Sequence, residues 1–239
     1  MTPAAALELA GALLLGDADA HTWARFRRAR REDRRIVIHE LKRVVDERMH
    51  SSPPEALVAA LILMQAAEDA PAERHVALRG YANALHYNAR HEEARAAYEE
   101  ALKVYDERGE TRESATIRRN LVDVYMYLGD SHGALLKAAE ARALLTGPEA
   151  RYDLARLENN VGNVYTRLDE YPKARKHYER ALEVFQELGN QLAVGITAFN
   201  LGIVEMNAND VEASERRMLT ARAAFAACLL YTSPSPRDS

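Results

Sequence analysis

The chain has 239 residues, a formal net charge of −4, and 48 % apolar but only 7 % aromatic residues. This balance suits an all-helical protein. The mild acidity argues against a general nucleic-acid binder, and no run is long and apolar enough to span a bilayer as a helix.

Residues 4–15 read as a first helix, stopped near Gly16. Glu8 interrupts its apolar run and no basic leader precedes it, so it is a helix rather than a signal peptide, and a cytoplasmic location is expected. Residues 19–31 form a second helical stretch anchored by Trp23 and Phe26. Arg25, Arg27, Arg28, Arg30, Arg31, Arg34 and Arg35 crowd this region. They read either as an anion site or as a solvated face partly paired with Glu32 and Asp33. The second reading is favoured, because neither a glycine-rich loop nor interleaved aromatics accompany the arginines. Residues 36–49 carry Val37, Leu41, Val44 and Val45 on one face, Ser51 to Pro54 break the chain, and residues 55–68 form a helix apolar around much of its girth. These two helices look like a degenerate repeat that begins an array.

The clearest pattern lies in residues 159–182, NNVGNVYTRLDEYPKARKHYERAL. Val161, Gly162 and Tyr165 share one helical face, and Ala174, Tyr178, Ala181 and Leu182 share another. Small Gly162 and Ala174 allow two helix backbones to approach closely. The stretch recurs at a shift of 40 residues: Ala82, Val122 and Gly202 stand in the column of Gly162, Ala94, Ala134 and Ser214 in that of Ala174, and Ala101, Ala141 and Ala221 in that of Ala181. Such a period predicts a solenoid of stacked helical pairs.

The large residue, Gly and Tyr of Val161, Gly162 and Tyr165, followed by Ala174, Tyr178 and Ala181, resemble the tetratricopeptide repeat (TPR) family in its long-repeat form. The resemblance implies an all-α fold, an α-solenoid of helical hairpins in a right-handed superhelix. Residues 1–70 are an N-terminal helical region with the degenerate repeat. Four repeats occupy residues 71–227, at about 75–114, 115–154, 155–194 and 195–227. Gly109, Gly147 and Gly189 sit just beyond second helices, where a left-handed residue is expected. Some columns depart from the pattern: Glu205 replaces the first Tyr, Met218 and Ala138 the second aromatic, and Arg142 and Arg222 stand in the column of Leu182. A loose column indicates either a looser interface or a partner on that face.

In TPR arrays the first helices of the hairpins line the concave surface. Asn120, Asn160 and Asn200 fall in one column there. An amide side chain offers a donor and an acceptor, so such a column suits the backbone of an extended peptide, and Asn in this column of kinesin light chain resembles a peptide clamp. The other reading is that these asparagines stitch neighbouring helices together. Neighbouring columns hold Asn83, Asp123 and Asn163, then Arg79, Arg119 and Asn159, and Tyr87, Tyr127 and Arg167 lie one turn on. The resemblance thus implies a scaffold that binds a protein or peptide, not nucleic acid or membrane. Residues 157–214 also look like the TPR region that precedes caspase-like CHAT protease domains, which makes a sensor fragment of a larger bacterial enzyme the alternative.

No catalytic set stands out. His91-Glu92-Glu93 lacks the second His of a zinc helix, and no phosphate-cradling glycine loop or nucleophile motif is present. No cofactor or metal is expected. Residues 228–238, CLLYTSPSPRD, match one reading frame of a transposon-end sequencing adaptor, so residues 228–239 read as a non-native tail. The single cysteine, Cys228, falls in it, which leaves no disulfide or thiol chemistry to expect elsewhere.

Overall fold

The computed structural model of the protein describes residues 2–14 and 19–232. Among the described residues there is no strand. The helices are α1 (Pro3–Leu14), α2 (Ala20–Arg28), α3 (Arg31–Arg48), α4 (Pro53–Glu68), α5 (Arg74–Tyr87), α6 (His91–Glu107), α7 (Thr111–Tyr127), α8 (Ser131–Leu144), α9 (Arg151–Arg167), α10 (Tyr171–Glu187), α11 (Gln191–Asn207) and α12 (Val211–Thr232). Two 3-10 turns, Pro71–Glu73 and Pro148–Ala150, lead into α5 and α9. The expected stop at Gly16 and residues 233–239 of the expected tail lie outside the described residues. Helix α12 runs on to Thr232, beyond residue 227 where the repeat pattern ends.

Local chemistry sets the helix ends. The carboxylates of Asp19 and Asp130 and the amide oxygen of Asn190 accept from backbone N–H groups of Thr22, Gly133 and Ala193, satisfying first-turn donors of α2, α8 and α11. Helix α3 begins at Arg31, earlier than the apolar pattern indicates, because extended backbone at Ala29 and Arg30 ends α2 and Glu32 and Asp33 suit the new N-terminus. The arginine run is therefore split between two helices.

The hairpin turns share one geometry. Ala89, Gly129, Asp169 and Asn209 stand in one column and all have positive φ, between 57° and 81°. The next residue in each turn donates its N–H back into the helix: Arg90 to Leu85, Asp130 to Tyr125, Glu170 to Tyr165 and Asp210 to Glu205, at 2.8 to 2.9 Å. This closes the left-handed cap that satisfies orphan carbonyls. Gly109 and Gly189 make the same cap beyond α6 and α10. Gly147 differs from expectation. Its φ is positive but its ψ of 167° is extended, because it precedes Pro148 and the proline ring excludes a helical conformation there.

The chain divides into two compact units, Met1–Ile117 and Arg118–Ser239, with the boundary inside α7. In the first unit α1 packs on α3, α3 on α4 and α5, and α5 on α6. Leu9, Leu13, Phe26, Ile38, Leu41 and Leu63 fill its core. In the second, α9 packs on α10, α10 on α11, and α11 on α12, around Ala174, Tyr178, Phe185, Leu201 and Val204. The small-residue columns are buried: Ala94, Ala101, Ala134, Ala141, Ala174 and Ala181 are fully so. A Cβ added to Gly162 would lie 2.6 Å from the Tyr178 ring. Gly162→Ala is therefore expected to lower stability by about 1–3 kcal/mol through overpacking. Thermal unfolding followed by circular dichroism measures it, and an unshifted midpoint would mean the ring is free to move aside.

The departures from the repeat pattern are filled rather than loose. Glu205 is buried and forms an ion pair with Arg175 of α10. Arg142 does the same for buried Glu158. Ser214 donates to the Gly202 carbonyl at 2.9 Å, and Met218 fills the space over Gly202. Arg222, by contrast, is exposed. On α12, Ala221 and Ala224 face the core, while Val211 and Leu219 are exposed. Among the described residues no helix is long and apolar enough to cross a membrane.

Candidate functional site: an amide ladder on the first helices

Asparagines of the first helices make hydrogen bonds from hairpin to hairpin. In the second unit Asn160 Nδ2 donates to Asp123 Oδ2 at 2.8 Å and reaches the Arg119 carbonyl at 3.4 Å. One repeat on, Asn200 Nδ2 donates to Asn163 Oδ1 at 3.3 Å, which also accepts from the Tyr178 hydroxyl at 2.7 Å. In the first unit Asn83 Nδ2 donates to Asp46 Oδ1 at 2.9 Å. Each acceptor precedes its donor by 37 positions, so one rung recurs along the first helices. Asn159 adds a parallel bond, accepting from the Thr197 hydroxyl at 3.1 Å.

The asparagines therefore stitch neighbouring helices through their amide nitrogens. Their oxygens differ. Asn83 is buried, and its Oδ1 accepts from the Tyr98 hydroxyl at 2.5 Å. Asn120 Oδ1 accepts from Arg119 Nη2 at 3.0 Å. The Oδ1 atoms of Asn160 and Asn200 have no partner among the described residues, and both side chains are partly exposed.

Charge gathers around the Asn160 rung. Arg119 is buried and lies 3.7 Å from Asp153. Asp123 Oδ1 is closed off from solvent without a hydrogen-bond donor. Burial pushes its carboxyl up to about 7, outweighing the pull of Arg119 and Arg156 and the bond from Asn160. Glu158 behaves differently. Burial alone would raise it, but hydrogen bonds from His177 and Arg142 prevail and hold it below the usual carboxylate range.

The remaining expected site residues make ring contacts. Arg167 lies over the exposed ring of Tyr127, 5.7 Å from its centroid. Tyr87 is exposed and packs edge-on against His50. Arg79 lies 5.6 Å over the Tyr105 ring, in a first-unit cleft of about 620 Å³ that Arg31, Arg35 and His39 also line. The arginine run is thus partly paired, Arg30 with Asp33 at 3.0 Å, and partly turned to this cleft. Among the described residues no group of three His, Cys, Asp or Glu side chains could hold a metal ion.

The 40-residue column identified the donors Asn160 and Asn200, but it placed Asn83 among the acceptors Asp123 and Asn163 and missed its acceptor, Asp46 in the degenerate repeat. The 37-residue spacing of amide to acid would have found it. The ion pairs at Glu158 and Glu205 were also missed, because their partners are only one helix away and follow no column.

Residues 153–227 match the family model described as tetratricopeptide repeat. No curated protein matches the chain significantly. Among solved structures, BtubC (BKLC) from P. vanneervenii is similar at 22 % identity and a TM-score of 0.71, over 97 % of this chain and 96 % of that one. NprR in complex with its cognate peptide NprX is similar at 14 % identity and a TM-score of 0.70, over 93 % of this chain and 66 % of that one. The apo form of RapI is similar at 16 % identity and a TM-score of 0.60, over 79 % and 54 %. At these identities the likeness is one of fold.

Proposed function

We propose that this chain, whose residues 153–227 carry tetratricopeptide repeats, is a cytoplasmic, non-catalytic scaffold that binds an extended peptide segment of a partner protein along the first helices of its hairpins. The observation that carries this reading is the pair of unengaged, partly exposed Oδ1 atoms on Asn160 and Asn200. Their amide nitrogens are fixed by Asp123 and Asn163, so the oxygens are oriented before a ligand arrives and can accept from peptide N–H groups at little entropic cost. Asn120 completes the column. Asp123, Asn163 and Arg119 hold these amides in place, Asn159 ties α9 to α11 through Thr197, Tyr127 and Arg167 flank the ladder, and Arg79, Asn83 and Tyr87 stand in the same columns of the first unit. The NprR structure, whose fold is similar, holds a peptide, which agrees with this use of the fold.

The test uses a random peptide library selected on the purified protein, followed by calorimetric titration of the best binder. Replacing Asn120, Asn160 and Asn200 together with Ala is expected to weaken that binder by about 1–2 kcal/mol, the cost of an unpaired buried group, with helical content unchanged. Equal affinity of the two proteins would refute the clamp. The alternative assignment, a sensor region of a CHAT-type enzyme, rests on the resemblance of residues 157–214, and the gene sequence beyond the codon of Ala227 tests it.

A further inference from the structure

We propose that α11 carries a homodimer interface. Leu192, Ile196, Phe199, Ile203 and Met206 are all large and apolar, and each is between 37 and 54 % exposed. Their spacing alternates between four and three residues along the whole helix, so they form one stripe. The opposite face is already used, with Val194, Ala198, Leu201 and Val204 buried in the core of the second unit.

The same face one repeat earlier bears a helix. Asn159 and Asn163 of α9 stand one 40-residue period before Phe199 and Ile203, and both accept hydrogen bonds from α11. In α11 the corresponding positions have lost their polar groups. The stripe thus continues an established helix-on-helix surface, with its chemistry changed from hydrogen-bonding to apolar.

A 3.5-residue apolar period is the seam of paired helices, and a second copy of α11 matches it. The only charged residue of α11, Glu205, is buried against Arg175, so two copies meet without like-charge repulsion. A two-fold pairing centred on Phe199 buries each stripe against itself, as an isologous contact requires. The pairing is argued from the stripe rather than from the amide ladder, and Ile196 and Ile203 flank Asn200 at four and three residues, so a bound copy lies beside the Asn200 amide.

Sedimentation equilibrium of the whole chain between about 1 and 100 µM is expected to show a monomer–dimer equilibrium, and Ile203→Glu to raise the dissociation constant at least about tenfold. A chain that stays monomeric over this range, or a dimer insensitive to Ile203→Glu, overturns the proposal. Should Ile203→Glu fail to fold, a second variant decides. With Cys228 replaced by Ser, Phe199→Cys is expected to form a disulfide-linked dimer under mild oxidation, and its failure to cross-link also overturns the interface.

Discussion

Replacing Ala174 with Arg is expected to lower the thermal midpoint by about 6–12 °C, corresponding to about 3 kcal/mol in a chain of this size. Ala174 is fully buried in the core of the second unit. An arginine there adds volume to a closed contact, which typically costs about 1–3 kcal/mol, and carries a charge into a contact now lined by apolar side chains. Calorimetry on the variant and on Lys176→Arg, an exposed position of the same helix, separates the contact from a general effect of arginine. An unchanged midpoint would show that Ala174 is not at a close helix contact.

Asp123→Asn is expected to stabilise the protein at pH 8 by as much as about 4 kcal/mol and to flatten its stability between pH 4 and 7. Burial raises the native carboxyl from 3.8 to about 7, and each pH unit is worth about 1.36 kcal/mol. Below pH 4 both native and unfolded chains hold the proton. Between 4 and 7 the unfolded chain releases it while the native chain keeps it, so native stability falls as pH rises. Above 7 the loss is complete and the curve is level. Asparagine keeps the shape of the side chain, and its oxygen still accepts from Asn160, but it never ionises. Urea midpoints at pH 4, 6 and 8 for the two proteins measure the difference. A parallel pH profile would show that Asp123 is ionised in the native state.

The fold was legible because hairpin packing demands small residues at fixed intervals. Gly162, Ala174 and Ala181 mark the register in the sequence itself, and the helices fall within a few residues of the expected ends except at the start of α3 and the end of α12. The turn column was less legible. Gly129 advertises a left-handed residue, Asn209 and Asp169 do so more weakly, and Ala89 reaches it against its own preference, held by the returning N–H bond. The ladder was half legible. Asn160 and Asn200 stand out by column, but their acceptors, Asp123 and Asn163, are offset by three residues from that column, because a side chain on one helix meets the next helix at a shifted height. Glu205 and Arg142 read as defects in the pattern and proved to be one half of ion pairs whose other half no periodicity marks.

The shared turn geometry makes each hairpin a standard mount. Its backbone is closed by the same left-handed residue and the same returning bond whether the side chain is Ala, Gly, Asp or Asn. What the mount displays is then free to change. On α9 it presents Asn159 and Asn163, and on α11 Phe199 and Ile203, at the same two stations. A hydrophilic fitting and a greasy one are thus exchanged by a few substitutions that leave the frame alone, so adhesion in such an array can diversify without refolding it.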